Sequence, residues 1–123
     1  MKAQGPNGVI IAHGGDRWGY SLYLAKGKPC FAAVADWKRT VITGEDKLDG
    51  SAHEWNARWN REGRLELRID DRMVARGQVP GMMTTMPGDS IQVGADLIKP
   101  VGDYEVPNGF SGSIQSLELF YAR

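Results

Sequence analysis

The sequence is poor in cysteine, in net charge and in long apolar runs. Cys30 is its one cysteine, which excludes an intramolecular disulfide and a cysteine-based zinc site. Fifteen basic and fifteen acidic residues cancel, so charge gives no pull towards nucleic acid or anionic lipid. The sequence shows neither an apolar run long enough to span a membrane nor a signal peptide. We therefore expect neither nucleic acid nor a membrane as a partner.

Glycine and proline, by contrast, are spread along the chain and divide it into short runs. The 123 residues include 16 glycines and six prolines, and this punctuation favours an all-β sandwich or barrel over a helical bundle. A chain of this length has room for one core, so residues 1–123 are expected to form a single domain. Cys30 lies in the apolar run Pro29–Val34 and is interpreted as a small buried hydrophobic side chain.

The clearest element is a hairpin between Gly63 and Gln78. Leu65, Leu67 and Ile69 alternate with charged residues, which is the pattern of a half-buried strand with these three side chains in the core. Asp70-Asp71-Arg72 then offers short polar residues suited to a tight turn, and an extended run resumes after it.

The segment Ser51–Glu62 fits two structures. As a helix it would place its two tryptophans on one face and pair Glu54 with Arg58. As a strand it would place alternate residues on one face, namely His53, Trp55, Ala57 and Trp59. The alternation is unbroken, which favours the strand.

Further runs that are apolar or rich in β-branched residues predict the remaining strands. The longest irregular segment is Gly94–Gly109, and a loop of this length in a compact domain is usually functional or packed as an Ω-loop. In the closing run, the spacing of the apolar residues predicts a bulge near Gln115-Ser116. The predicted strands are Val9–His13, Trp18–Ala25, Pro29–Ala35, Thr40–Thr43, Ser90–Val93 and Phe110–Tyr121.

Three stretches of the sequence resemble a known family. Gly8-Val-Ile-Ile-Ala-His-Gly-Gly, followed by Gly19-Tyr-Ser-Leu-Tyr-Leu-Ala-Lys-Gly-Lys-Pro, resembles the opening of a laminin-G-like, concanavalin-A-like jelly-roll domain. The hairpin is similar to that family's strand and turn, with Asp71 where glycine is usual. Phe110-Ser-Gly-Ser-Ile is similar to its closing strand. The sequence is most similar to the C-terminal module of bacterial arylsulfatases.

This resemblance implies a two-sheet antiparallel β-sandwich that is mostly non-catalytic. It implies an accessory module of a secreted, sulfatase-like hydrolase, extracellular or periplasmic, which binds carbohydrate or docks on its host's catalytic domain. The sulfatase signature places proline or serine two residues after a cysteine, followed by arginine. Cys30 is followed by Phe31 and Ala32, so the chain is not itself the sulfatase.

Such domains begin with a strand before the Val9 run, and Met1–Asn7 is too short and broken to supply it in full. The resemblance therefore implies a sandwich that lacks part of its first strand. An incomplete edge offers unpaired main-chain groups to another chain, so a homodimer formed through that edge is a further expectation.

Loops of a rigid sandwich are where binding residues concentrate, and a sugar's apolar face stacks on a flat aromatic ring. We therefore predict a ligand site in the loops Asp16–Trp18, Asp36–Arg39 and Asp96–Tyr104, although Trp18 fits the core equally well. Asp96 and Asp103, with Glu105, offer oxygen ligands for calcium, but with no fixed-spacing motif; no other cofactor is expected. The candidate ligand-binding residues are Asp16, Arg17, Trp18, Trp37, Arg39 and Tyr104.

Three other groupings have a functional and a structural interpretation. His13 and His53 are interpreted as hydrogen-bonded structural histidines rather than acid–base catalysts. A small glycanase is the alternative function, because glucanases share this sandwich; it would use a pair of carboxylates such as Glu54, Glu66 or Asp70. Arginines interleave with those carboxylates, which predicts cross-strand ion pairs on a solvated face. The alternative is a surface for sulfated or uronic sugars. The arginines are Arg58, Arg61, Arg64, Arg68, Arg72 and Arg76.

Overall fold

The computed structural model describes residues 7–14, 17–49 and 51–79, together with the backbone of residues 2–4, 92–93 and 113–116. These residues form two five-stranded antiparallel sheets, ordered β10-β1-β6-β7-β8 and β5-β4-β3-β2-β9, which confirms the predicted all-β sandwich. The strands are β1 (Lys2–Gln4), β2 (Gly8–Gly14), β3 (Gly19–Ala25), β4 (Lys28–Ala35), β5 (Lys38–Thr43), β6 (Ala52–Trp59), β7 (Arg64–Ile69), β8 (Arg72–Gln78), β9 (Gln92–Val93) and β10 (Ser113–Ser116). In the described part of the chain no helix is long and apolar enough to cross a membrane.

The central hairpin forms as the sequence predicts. Strands β7 and β8 pair around a turn at Asp70-Asp71, with Leu67 opposite Ala75. Leu65 and Leu67 are fully buried and Ile69 is 4% exposed, so the apolar face of β7 points into the sandwich. The ambiguous segment is a strand, β6, and Trp55 on its inner face is buried. The helical interpretation of Ser51–Glu62 is therefore wrong.

The main core fills the space between the sheets with aliphatic and aromatic side chains. The second sheet contributes the side chains of β2–β5, and the first contributes those of β6 and β7, together with Val79 just after β8. Burial of this apolar surface is the main force that holds the two sheets together. Its buried members are Ile10, Ile11, Leu22, Leu24, Phe31, Ala33, Ala35, Ile42, Trp55, Leu65, Leu67, Ile69 and Val79.

The opposite face of the second sheet is buried as well. Strand β4 is buried along seven consecutive residues, Pro29–Ala35, which explains why its sequence is continuously apolar rather than alternating. Cys30 is 2% exposed and behaves as the small buried side chain expected. This second cluster consists of Val9, Ala12, Tyr23, Cys30, Ala32 and Val34.

A strand does precede Val9, but it is only three residues long. Lys2–Gln4 forms β1, which lies between β6 and β10 and pairs with both. Lys2 lies opposite Ser116 and Ala3 opposite Ile114, so Gln115 of β10 has no residue opposite it in β1. The bulge predicted near Gln115-Ser116 is therefore present.

The two sheets approach closely along one side, where β8 packs against β5. A Cβ atom at Gly77 would lie 2.6 Å from Ile42 Cγ2, closer than packed carbon atoms tolerate. Glycine at position 77 therefore lets the edge of one sheet close over the other.

Candidate functional site

The β4–β5 turn carries an exposed tryptophan. Asp36 and Trp37 have positive φ angles, 47° and 74°, which is the pattern of a two-residue type I′ hairpin turn. Such turns favour Asn-Gly or Asp-Gly, and a left-handed backbone costs a residue with a side chain roughly 1–2 kcal/mol. Trp37 nevertheless occupies the glycine-favouring position and is 66% exposed. Strained residues of this kind cluster at functional sites, where the surrounding structure holds them in place.

Two contacts from the β2–β3 connection hold this turn. The Trp37 N–H donates to the Arg17 carbonyl oxygen at 3.0 Å, and Arg17 Nε donates to Asp36 Oδ1 at 3.2 Å. The two segments meet because β3 begins at Gly19, opposite Val34 near the end of β4. The structure thus brings together two of the three loops in which the sequence predicts a ligand site.

The other predicted ligand residues have different surroundings. Arg39 is exposed on β5, opposite Val34 and two residues after the turn. Trp18 is half-buried and packs against the main core, which favours the core interpretation of that residue. Its indole Nε1 is buried without a hydrogen-bond partner among the described residues. Asp16 and Tyr104 lie outside the described residues.

The predicted calcium ligands Asp96 and Asp103 also lie outside the described residues, so calcium binding there stays a prediction. Within residues 7–14, 17–49 and 51–79, no three His, Cys, Asp or Glu side chains are grouped so that they could hold a metal ion.

His13 lies inside the same end of the sandwich as the Trp37 turn. It is 6% exposed, and its Nδ1 is 3.3 Å from the Tyr20 hydroxyl oxygen. The two rings meet edge to face, with their centroids 5.5 Å apart. This setting fits the hydrogen-bonded structural role expected from the sequence.

His53 joins two separate segments through its two ring nitrogens. Nδ1 lies 2.7 Å from Asp70 Oδ2 in the β7–β8 turn, and Nε2 lies 2.9 Å from Asp49 Oδ1 in the β5–β6 connection. Asp70 Oδ1 also accepts the Glu54 N–H at 2.9 Å, and Asp49 Oδ1 accepts the Ser51 N–H at 2.9 Å. The sequence placed Asp70 on the outer face of the sheet with the arginines, whereas its turn directs it to His53.

The two carboxylates favour the protonated imidazolium. Partial burial alone would lower the pKa of His53, but the hydrogen bonds to Asp70 and Asp49, and the charges of both, raise it above its ordinary value. The pKa of Asp70 is lowered, first by the Glu54 N–H and then by His53. The pKa of Asp49 is also lowered, by the Ser51 side chain and backbone and then by His53.

The cluster contains the residue types of a serine hydrolase triad in a different arrangement. Ser51 Oγ lies 3.4 Å from His53 Nε2, but that nitrogen faces Asp49 at 2.9 Å. A general base needs a free lone pair on the nitrogen that takes the serine proton. In the protonated ring both nitrogens donate to carboxylates, so His53 has no lone pair free to take the Ser51 proton in this arrangement.

Four arginines surround Glu66 on the outer face of β6–β8. Glu66 lies opposite Arg58 on β6 and opposite Arg76 on β8, and Arg64 and Arg68 lie two residues away on either side along β7. The ion pairs that join described residues all lie elsewhere, so the strand register juxtaposes these charges without close ion pairing. Arg68 Nε is buried and has no hydrogen-bond partner among the described residues.

Comparison with solved structures identifies the fold. The chain is similar to domains LG4-5 of the mouse laminin alpha1 chain, with a TM-score of 0.65 and 20% sequence identity. The fold is that of a laminin-G-like β-sandwich. The match covers 93% of this chain and 32% of the laminin chain, so this laminin-G-like chain spans about a third of that structure. No protein-family model and no curated protein matches the sequence.

At this level of identity the likeness concerns the fold alone. It agrees with the laminin-G-like part of the resemblance seen in the sequence. The link to arylsulfatases stays a prediction.

Proposed function

We propose that the chain is a non-catalytic carbohydrate-binding module, which stacks a sugar on Trp37. The observation that carries this proposal is an exposed tryptophan on a strained two-residue turn. An exposed indole is a flat apolar surface with one polar N–H group. A pyranose ring has a matching apolar face, and its hydroxyl groups can reach polar side chains around the indole.

The surroundings of Trp37 supply such polar groups. Arg17 and Asp36 form an ion pair whose side chains are 61% and 65% exposed, so both remain within reach of a ligand. Arg39 is exposed two residues further along the chain. The Trp37 main-chain bond to Arg17 fixes the turn, so the platform is largely ordered before the ligand arrives. Binding to a preorganised site loses less conformational entropy.

The wider setting is part of the same proposal. The laminin-G-like fold supports a module that binds carbohydrate or protein, and the sequence resemblance supports an accessory role in a secreted, sulfatase-like hydrolase. On this view the module lies outside the cell or in the periplasm, and it brings its host to a polysaccharide. Docking on the catalytic domain of the host remains the second possibility, and calcium at Asp96 and Asp103 remains a further proposal.

Affinity gel electrophoresis tests the binding proposal. The protein would be run through gels containing xylan, sodium alginate or dextran sulfate, each with calcium and with a chelator. We expect at least one gel to retard the native protein and Trp37→Ala to abolish that retardation. The matched control is Met73→Ala, which removes the other large apolar side chain that is exposed among the described residues, from the outer face of β8, and should leave the retardation unchanged.

The alternative function is a small glycanase, for which the outer-face carboxylates would supply the chemistry. Hydrolysis of a glucan by the native protein, abolished by Glu66→Gln, would favour that alternative. The binding module predicts no hydrolysis by either protein and unchanged gel retardation for Glu66→Gln.

A further inference from the structure

Strand β6 receives the chain from the second sheet through the β5–β6 connection, residues 44–51. The first part of this connection is fixed by main-chain bonds, from the Gly44 N–H to the Pro29 carbonyl at 2.9 Å and from the Leu48 N–H to the Gly27 carbonyl at 2.8 Å. Its last part, from Asp49 onwards, has no such bond among the residues described. It is tied to the rest of the sheet through His53.

We propose that His53 is a proton-operated latch, which holds the end of the β5–β6 connection against the β7–β8 turn when the ring is protonated and releases it when the ring is neutral. The two hydrogen bonds of this latch, from His53 Nδ1 to Asp70 and from His53 Nε2 to Asp49, differ in how firmly the protein holds the carboxylate. The Asp70 carboxylate also accepts the Glu54 N–H, and the Asp70 N–H donates to the Glu54 carbonyl oxygen at 2.9 Å. Asp49 lies on a connection and is 73% exposed.

Loss of the ring proton therefore breaks the hydrogen bond to Asp49 rather than the one to Asp70. A neutral ring can keep its Nδ1–H bond to Asp70, and Nε2 then presents a lone pair. Nε2 lies 2.9 Å from Asp49 Oδ1, so two hydrogen-bond acceptors then face each other and repel. The Ser51 hydroxyl, which now bonds to Asp49 and lies 3.4 Å from Nε2, can rotate to donate to the ring instead. The proton leaves to solvent, and Asp49 keeps only the Ser51 N–H of its three hydrogen-bond donors.

The charged groups around His53 allow this assignment. The connection contributes Asp49 and the turn contributes Asp70. On the other side, β1 places Ala3 opposite His53 and its one titratable residue, Lys2, opposite Glu54. The ring therefore sits between two carboxylates, with no cation directly opposite it in the strand register.

Nuclear magnetic resonance titration of the two histidines tests the latch. We expect the His53 midpoint to lie above that of a free histidine, about 6.5, and Asp49→Asn to lower it. Asp71→Asn is the matched control, because it removes the same charge from the neighbouring β7–β8 turn, at a residue that forms no ion pair with His53, and it should shift the midpoint much less. Asparagine also tolerates the left-handed φ of 65° at that position.

Amide hydrogen exchange in the native protein separates the latch from a merely buried histidine. Across the His53 midpoint, protection of the Ser51 N–H should fall several-fold after correction for the intrinsic pH dependence, whereas protection of the Glu54 N–H should persist. A His53 midpoint at or below that of free histidine would overturn the proposal. So would equal changes at both amides, or a midpoint that Asp49→Asn leaves unmoved.

Discussion

Comparing the stability of Trp37→Gly with that of Trp37→Ala measures what the left-handed backbone of the turn costs a residue that carries a side chain. With φ of 74°, position 37 disfavours any side chain, and Trp37→Ala still carries a Cβ atom while Trp37→Gly does not. Both variants lose the same indole contacts, so those contacts cancel when the two are compared. What remains is the backbone preference of the turn.

The magnitude follows from two opposing terms. The left-handed conformation costs alanine about 1–2 kcal/mol, and glycine loses about 0.5–1 kcal/mol more backbone entropy on folding. Trp37→Gly should therefore be more stable than Trp37→Ala by about 1 kcal/mol, or roughly 3–6 °C in melting temperature for a chain of this size. A glycine directly after Asp36 would also supply the Asp-Gly pair that a type I′ turn prefers.

Urea unfolding followed by circular dichroism measures this difference. Thr43 is the matched control, because it is exposed on β5 and is not among the positive-φ residues of the described chain. At that position glycine should be less stable than alanine by about 0.5–1 kcal/mol. If Trp37→Gly were less stable than Trp37→Ala, as at Thr43, the turn would not be left-handed and the strain on Trp37 would be refuted.

Four further outcomes are expected. Leu67→Ala should lower the free energy of unfolding by about 2–5 kcal/mol, because Leu67 is fully buried; an unchanged melting temperature would contradict this. Gly77→Ala should cost about 1–3 kcal/mol by overpacking against Ile42, and Gly77→Ser should cost no less. His53 stabilises the fold fully below the pKa of unfolded histidine, about 6.5, and this contribution disappears as pH rises through the raised folded pKa. Urea unfolding should therefore show that the free energy of unfolding falls less between pH 6 and pH 8.5 in His53→Gln than in the native protein. Light scattering at increasing concentration should show association through an exposed sheet edge, and a strictly monomeric species at millimolar concentration would refute that expectation.

The strands could be predicted because their signal is local. In β7 each side chain faces inward or outward according to its place in the sequence, so period two fixes both the strand and its buried face. The same pattern decided β6 against a helix. For β4 the continuous apolar run predicted a strand, but the number of its buried faces depends on how the chain covers the second sheet. That is a tertiary property which the run itself does not contain.

The site was predictable only in part. The sequence offered Trp37 and Arg17 because an aromatic residue in a turn suggests a sugar contact, and the structure brings the two segments together. It did not predict the strain, because Asp36-Trp37 lacks the glycine that marks a type I′ turn. His53 was expected to be hydrogen-bonded, but its partners were not identified. Asp70 is 17 residues away, and only the pairing of β6 with β7 brings it near.

Mapping of the tryptophan side chains in solution tests the central claim most directly. The four indole N–H signals of the native protein would be followed in a heteronuclear spectrum while the retarding polysaccharide is added as soluble oligosaccharides. The signal lost in Trp37→Gly should shift on binding, together with backbone signals around Arg17 and Arg39, and the other three indole signals should stay in place. Shifts confined to the arginine face of β6–β8, with the Trp37 signal unmoved, would contradict the proposed site.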